Sequence, residues 1–359
     1  MTKEKKLRWG RIFLVIIMLM TFATQGLMVE SVKASEISVK TPFDLKMLVF
    51  LPGSAWHVYG SAMAGVWDKY LPAGSKIDIV PSPLAGIPTP IVVGVKKEYN
   101  ISCMQHDIAK WAYEGRTDIW PDYPEEGIKN IRVLASLMDE YSYSAAVARK
   151  FAEKYGVWSI KDLVEKKPPI RLRTLPPGAC GELRARLILK EYDLTYEDIK
   201  KWGGEVIHAD FKTNVTAIMD RHADAMWHVI QAGHPSWTEL TTLTEMVFLP
   251  MEKEVIKSMV EKYGSLPTPI KKEWGFRGVT EDIPMGIGWY TILLVRDDMP
   301  FEVAYVLTKA LEENRDYLVS VASGLKLFNP KEAWKKEYRA GVPLHPGAEA
   351  YYKDKGYMK

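Results

Sequence analysis

The chain is poor in cysteine and has no linker rich in glycine, serine or proline. Past its first 34 residues it also has no long apolar run. Two cysteines, Cys103 and Cys180, stand in 359 residues, which excludes a small scaffold stapled by disulfides. In an exported chain such a pair either forms one bridge or stays as two buried thiols, and the pattern leaves both open. No run of 18 apolar residues follows residue 34, so a membrane-spanning helix is not expected there. Several catalytic signatures are also missing: a G-x-S-x-G elbow, an H-E-x-x-H helix, a G-x-G-x-x-G turn and a G-x-x-x-x-G-K phosphate loop. No segment repeats with a period of 20–50 residues, which excludes a solenoid.

Net charge is also scarce. The formal charge is +3, and six basic residues (Lys3, Lys5, Lys6, Arg8, Arg11, Lys33) fall in the first 34 positions beside Glu4 and Glu30. The remainder carries −1. A body without a basic face cannot neutralise a phosphate backbone, so no nucleic-acid partner is expected.

Apolar residues make up 47% and charged residues 26%, the balance of a globular protein with a substantial core. The length favours two domains. At the start, the basic stretch Lys3–Arg11 precedes twelve apolar-rich residues, Ile12 to Ala23, and Val32-Lys33-Ala34 has the small-x-small spacing of a cleavage site. This is the layout of a secretory signal peptide over 1–34. The expected location is outside the cytoplasmic membrane, periplasmic or extracellular, and an uncleaved leader would instead anchor the chain there.

Short apolar runs alternate with helical spacing along the whole body. Strands are expected over 46–51, 77–80, 99–104, 131–138, 170–175, 205–209, 223–229, 246–249 and 288–296. Helices are expected over 61–70, 107–113, 143–155, 160–165, 181–192, 213–221, 252–263, 300–314, 316–322 and 330–338. Thr195 with Asp198 forms a capping box at a further short helix. Such alternation argues for βαβ units and largely parallel sheets. The absence of a flexible linker favours two lobes joined by crossing strands.

Three helix starts directly follow strands: Gly53-Ser54-Ala55-Trp56-His57, Gln105-His106-Asp107 and Pro177-Gly178-Ala179-Cys180-Gly181. Helix N-termini offer unpaired N–H groups and a positive dipole end, so together these turns suit a small anion. In open α/β sheets the ligand crevice lies at the carboxyl ends of the strands, where these turns fall. Trp56, His57, Trp227, His228, Trp289 and Tyr290 cluster near such junctions, whereas Trp67 and Trp111 sit inside helices and are assigned to the core. Four of the seven histidines, His208, His222, His228 and His234, lie close together with Asp210 and Asp224. Their spacing is looser than that of a structural zinc site, and the reading as hydrogen-bonding cleft histidines is preferred.

The segment Val342-Pro343-Leu344-His345-Pro346-Gly347-Ala348-Glu349-Ala350-Tyr351-Tyr352, with Gly356, resembles the closing signature of the TAXI family. These are the extracytoplasmic solute-binding proteins of TRAP transporters. Gly53 to Trp67, Tyr99 to Gly115, Gly178 to Ile188, Ala223-Asp224-Ala225 and Gly233-His234-Pro235 are similar to further segments of that family, as are Phe276-Arg277-Gly278 and Met299 to Ala310. The resemblance implies a two-lobe α/β fold of the type II periplasmic-binding-protein kind, with a ligand cleft between lobes that close by hinge bending. It implies lobe I over 35–140, lobe II over 141–244, and a return to lobe I with C-terminal helices over 245–359.

The implied function is capture of a small organic anion for TRAP-type membrane permease subunits, without catalysis and without a cofactor or metal. The implied ligand-binding residues are Ser54, Trp56, His57, Thr89, Gln105 and His106 on one side. Gly178, Ala179 and Cys180 would face them from the other lobe, with Trp227, His228 and Trp289 stacking on the ligand or covering it. The chain departs from the family pattern at three turns. Gly178-Ala179-Cys180-Gly181-Glu182 lacks the two hydroxyls usual there, Ser54-Ala55-Trp56-His57 carries bulkier rings, and Ala85-Gly86-Ile87-Pro88-Thr89-Pro90 replaces a Gly-Gly-Ser loop. Family ligands are glutamate-like or dicarboxylic, so these departures point to a bulkier or more apolar acid. The alternatives are a secreted metal-dependent hydrolase using the His-rich 208–234 segment and a ligand-binding sensor subunit.

Overall fold

The computed structural model describes residues 37–359, and the expected leader over 1–34 lies outside the described residues. Two five-stranded sheets form the framework. The first has the order β2-β1-β3-β10-β4, built from β1 (Asp44–Val49), β2 (Lys76–Pro81), β3 (Ile101–Gln105), β4 (Ile131–Ser136) and β10 (Thr291–Arg296). The second has the order β7-β6-β8-β5-β9, built from β5 (Ser142–Ala148), β6 (Arg171–Thr174), β7 (Glu205–His208), β8 (Ala225–Ile230) and β9 (Met246–Phe248). Each sheet has four strands running in one direction and one antiparallel strand second from the edge, β10 in the first and β5 in the second. Those two strands carry the chain between lobes, so this is the expected two-lobe α/β fold.

The helices that matter for the cleft follow strands directly. They are α1 (Ala55–Trp67), α2 (His106–Glu114), α3 (Arg149–Tyr155), α4 (Ile160–Lys166) and α5 (Cys180–Glu191). Next come α6 (Tyr196–Lys201), α7 (Phe211–Met219), α8 (Pro235–Leu243) and α9 (Lys253–Tyr263). Local chemistry sets their limits. Ser54 accepts from the His57 N–H and starts α1 six residues before the expected 61, because the cap sits in the preceding turn. Gly115 and Gly156 end α2 and α3 in the left-handed conformation. The Thr195–Asp198 capping box forms at α6.

Three expectations change. Residues 142–148 are a strand, not the first half of a helix over 143–155. Tyr143, Ala145 and Val147 are buried on one face, Ser144 and Ala146 on the other, and pairing with β8 and β9 overrides their modest helix propensity. Residues 330–338 form turns and a short 3₁₀ segment, Lys336–Arg339, instead of a helix. Helix α8 was not expected; Gly233, His234 and Pro235 provide its start, with proline at the first turn. Strand β9 lies in the second sheet and ends at Phe248, after the residue 245 at which the return segment was placed. Both cysteines are free and buried.

The C-terminal helices α10 (Phe301–Glu313), α11 (Arg315–Val321) and α12 (Pro346–Asp354) return to the first lobe. Trp67 Nε1 donates to Leu307 O at 3.1 Å, and Tyr352 Oη donates to Leu134 O at 3.1 Å. Val133 N donates to Pro343 O and His345 N donates to Val133 O, both at 2.9 Å. Residues 343–345 of the signature thus pair along β4 at the edge of the first sheet.

The two crossings meet at Tyr141 and Trp289, which bridge as antiparallel partners and stack with ring centroids 5.2 Å apart. Asp139 locks this junction. Its Oδ1 accepts from Thr291 N at 2.7 Å, its Oδ2 from Thr291 Oγ1 at 2.8 Å, and Trp56 Nε1 donates to that same hydroxyl at 2.9 Å. Burial pushes the Asp139 carboxyl up from 3.8 to about 7. The unfolded carboxyl ionises first, so the folded state holds a proton the unfolded chain has lost, and stability falls as the pH rises from about 4 to about 7. Asp139→Asn removes this titration. In urea melts the variant's stability relative to wild type is expected to grow by on the order of 4 kcal/mol between pH 4 and pH 8; a flat difference contradicts the burial cost.

Candidate functional site

The carboxyl ends of β1, β3, β6 and β8 converge on one cavity between the sheets. A cavity of about 40 Å³ lies among Phe50, Gln105, Leu175 and Val229 at those strand ends and the residues of the turns that follow. The turns contribute Ser54, Ala55 and Trp56 at the start of α1, Cys180 and Gly181 at the start of α5, Phe211 at the start of α7, and His234 before α8. Ala85 adds a loop contact, and Tyr141 and Trp289 close the side where the crossings run. The wall is mainly aromatic and aliphatic, the usual make-up of a small-molecule site.

Polar groups in this wall are donors more than charges. Helix α5 begins at Ala179 without a side-chain cap, so the N–H groups of Cys180 and Gly181 have no acceptor within the helix. The indole Nε1 of Trp289 and the Nδ1 of His234 are buried and have no partner among the described residues. Burial lowers His234 to about 4 and raises the Cys180 thiol to about 12, so both are neutral at pH 7. The Trp56 indole is already committed to Thr291, so it offers the cavity a ring face and no free donor.

The lobes meet around this space. Ile87 N donates to Gly178 O at 3.0 Å. The Phe50 and Phe211 rings meet edge to face at 5.8 Å. Tyr59 on α1 reaches Gln231 after β8, and Gln231 Nε2 donates back to Tyr59 Oη at 3.1 Å. At Gly86 an added Cβ would stand 2.5 Å from Gly178 O, so glycine is what lets the two backbones touch.

The structure gathers Ser54, Trp56, Gln105, Cys180 and Trp289 on the cavity wall. It sets the other expected residues behind it. His57 is half-buried and gives its N–H to Ser54. Thr89 is buried and bonds Leu84 O, bracing its own loop. His106 is buried against Tyr290 with Nδ1 unpartnered. Gly178 gives its carbonyl to the lobe contact and Ala179 is the bare N-cap of α5. Trp227 is fully buried on β8, and His228 packs its ring on Phe211 at 4.1 Å.

Sequence reasoning missed Phe50, Ala55, Ala85, Tyr141, Leu175, Gly181, Phe211 and Val229 as cavity residues. Phe50, Leu175 and Phe211 each lie within one or two residues of a strand's carboxyl end or a helix start, and that position is the signal that would have found them. His234 was singled out only among the clustered histidines. Those four do not converge. His208 bonds Leu175 O and packs on Tyr196, His222 is exposed, and His228 and His234 are ring neighbours at 5.5 Å. Among the described residues no three His, Cys, Asp or Glu side chains are gathered as a metal site.

The fold has solved counterparts. MatC (Rpa3494) from Rhodopseudomonas palustris, solved with bound malate, is 11% identical and has a TM-score of 0.50, over 89% of this chain and 100% of its own. The periplasmic binding protein BugD is 14% identical with a TM-score of 0.46, over 89% and 95%. The periplasmic nitrate-binding protein NrtA from Synechocystis PCC 6803 is 10% identical with a TM-score of 0.45, over 89% and 71%. At sequence level, residues 52–356 match the NMT1-like family, from the turn before α1 to just past α12. A match over so much of the chain, on a two-lobe frame with its cavity at the strand ends, makes this protein a member of the NMT1-like family.

Proposed function

We propose that this chain is an exported solute-binding receptor that captures a small organic anion, a carboxylate with an apolar body, and hands it to TRAP-type membrane permease subunits. The observation that carries the reading is the cavity wall: aromatic and aliphatic side chains from both lobes, with an unpaired indole donor on Trp289, an unpartnered ring nitrogen on His234 and the bare start of α5. Backbone N–H groups at a helix start and neutral ring donors hold a carboxylate without a cation. The apolar remainder of the wall suits an apolar body. MatC, which shares the fold, was solved with malate, a dicarboxylate, so it lends this reading the fold and not the solute's charge. The TRAP assignment rests on the likeness of 342–352 to the TAXI closing signature.

In this reading residues 1–34 are the export signal. The first lobe comprises 35–140 and the C-terminal return, and the second lies between the crossings. No helix among the described residues is long and apolar enough to cross a membrane. Ser54 and Trp56 hold one side of the solute, Gln105 lines the same lobe, and Cys180 gives its N–H from the other. His57, Thr89, His106, Gly178, Ala179, Trp227 and His228 shape the turns and strands from behind. A solute that touches both lobes shifts the open–closed equilibrium towards closure, and a permease can read the closed form.

Titration calorimetry against amino acids, dicarboxylates and aromatic or branched monocarboxylic acids tests the ligand class. An apolar monocarboxylic acid is expected to bind; tight glutamate binding with no response to apolar acids contradicts the reading. Trp289→Phe keeps the ring and removes the free donor, and is expected to weaken the responding acid at least tenfold, about 1.4 kcal/mol. Unchanged affinity would place that indole outside the site.

Closure has its own test. Gly86→Val would push a side chain into the Gly178 carbonyl. With the acid present, its radius of gyration from small-angle scattering is expected to stay above that of wild type, with weaker binding. A variant that closes and binds like wild type contradicts the proposed lobe contact.

A further inference from the structure

Directly behind the cavity wall, a buried charge pair joins the lobes. Arg184 on α5 is fully buried. Its Nη2 donates to Asp107 Oδ2 at 2.5 Å and to Gln105 Oε1 at 2.9 Å, and its Nη1 donates to Ser265 Oγ at 3.4 Å. The rings of Trp111 and Trp289 flank the guanidinium, with centroids 5.0 and 5.2 Å away. Asp107 is also buried, and its other oxygen accepts from Ile108 N at 2.8 Å. Two of these neighbours, Gln105 and Trp289, are themselves cavity wall. The guanidinium therefore stands one side chain away from the solute.

We infer that Asp107 sets the charge of the solute: it supplies from within the protein the carboxylate that pairs with Arg184, so the site takes acids with one negative charge and refuses those with two. The inference rests on the carboxylate-receptor reading and narrows it. A guanidinium this deeply buried would attract any anion strongly if it were uncompensated. Asp107 cancels it at contact distance. The titratable groups on the wall add no charge of either sign at pH 7: burial keeps His234 from becoming positive and keeps the Cys180 thiol and the Tyr141 phenol from becoming negative. His106, beside Asp107, is lowered by burial to about 4 and is neutral as well. One carboxylate can be met by the free indole N–H of Trp289 and the N–H groups at the start of α5, and by His234 in the tautomer that protonates Nδ1. A second would be desolvated with no counter-charge left to receive it.

The test compares pentanoate with glutarate, which share a five-carbon chain and differ by one carboxylate, on wild type and on Asp107→Asn. Wild type is expected to prefer pentanoate at least tenfold in titration calorimetry. Asp107→Asn keeps the shape and frees the Arg184 charge, which acts twice as strongly on a dianion, so the preference should shift towards glutarate at least tenfold. Wild type that binds both acids alike overturns the inference and leaves the receptor reading standing. So does a folded Asp107→Asn with an unchanged preference. Should that variant fail to fold, the charge-neutral double variant Asp107→Asn with Arg184→Gln is expected to keep the wild-type preference, and gain of glutarate binding by it overturns the inference. If wild type binds neither acid but takes a cation or a neutral solute, the receptor reading itself fails and the inference falls with it.

Discussion

The Arg184 guanidinium is the point on which the two lobes agree. It comes from the second lobe and finds its carboxylate, Asp107, and its amide oxygen, Gln105, on the first. A charge this deep is tolerated only when paired and hydrogen-bonded, and stripping one partner from such a pair costs about 3–5 kcal/mol. The positions of its neighbours follow from that constraint. Trp111 and Trp289 must lie along its faces, and Gln105 must turn its oxygen inward. Two of those three then form the wall of the cavity. One ion pair thus fixes the approach of the lobes, the side chains that line the site and the electrical neutrality of the space between them.

Neutrality explains the rest of the wall. With no free cation on the wall, the proposed anion would be held by directed donors, and the fold supplies these where strands end and helices begin. Ser54 closes its own helix, but α5 is left bare at Ala179, and Trp289 and His234 keep unspent ring nitrogens. The same junctions bring Phe50, Leu175 and Phe211 inward, so donors and apolar surface arrive together. Asp139, Thr291 and Trp56 form a second polar chain that fixes the junction of the crossings and spends the Trp56 donor inside the protein.

Much of this was legible in the sequence. The strand–helix alternation, the glycine stops at Gly115 and Gly156 and the Thr195–Asp198 box act within a few residues, and local chemistry decides them. The strand at 142–148 was not legible, because Ser142-Tyr143-Ser144-Ala145-Ala146 has no strong local preference and partners 78 to 102 residues away determine it. At the site, turn chemistry pointed to Ser54, Trp56, Gln105 and Cys180. It also pointed to His57, His106 and His228, whose neighbours in sequence face the cavity while they do not. Which of two adjacent side chains turns inward depends on packing across the cleft. Asp107 and Arg184 lie 77 residues apart, and no spacing rule joins them. The segment 342–352 pairs and packs along β4 at the edge of the first sheet, and none of its residues lines the cavity.

The most direct measurement is mass spectrometry of the small molecule that co-purifies with the full chain. A charge-neutral, largely apolar cavity with directed donors should retain an acid bearing one carboxylate and an apolar body. Recovery of a dicarboxylate, a cation or a sugar would contradict the account at its centre.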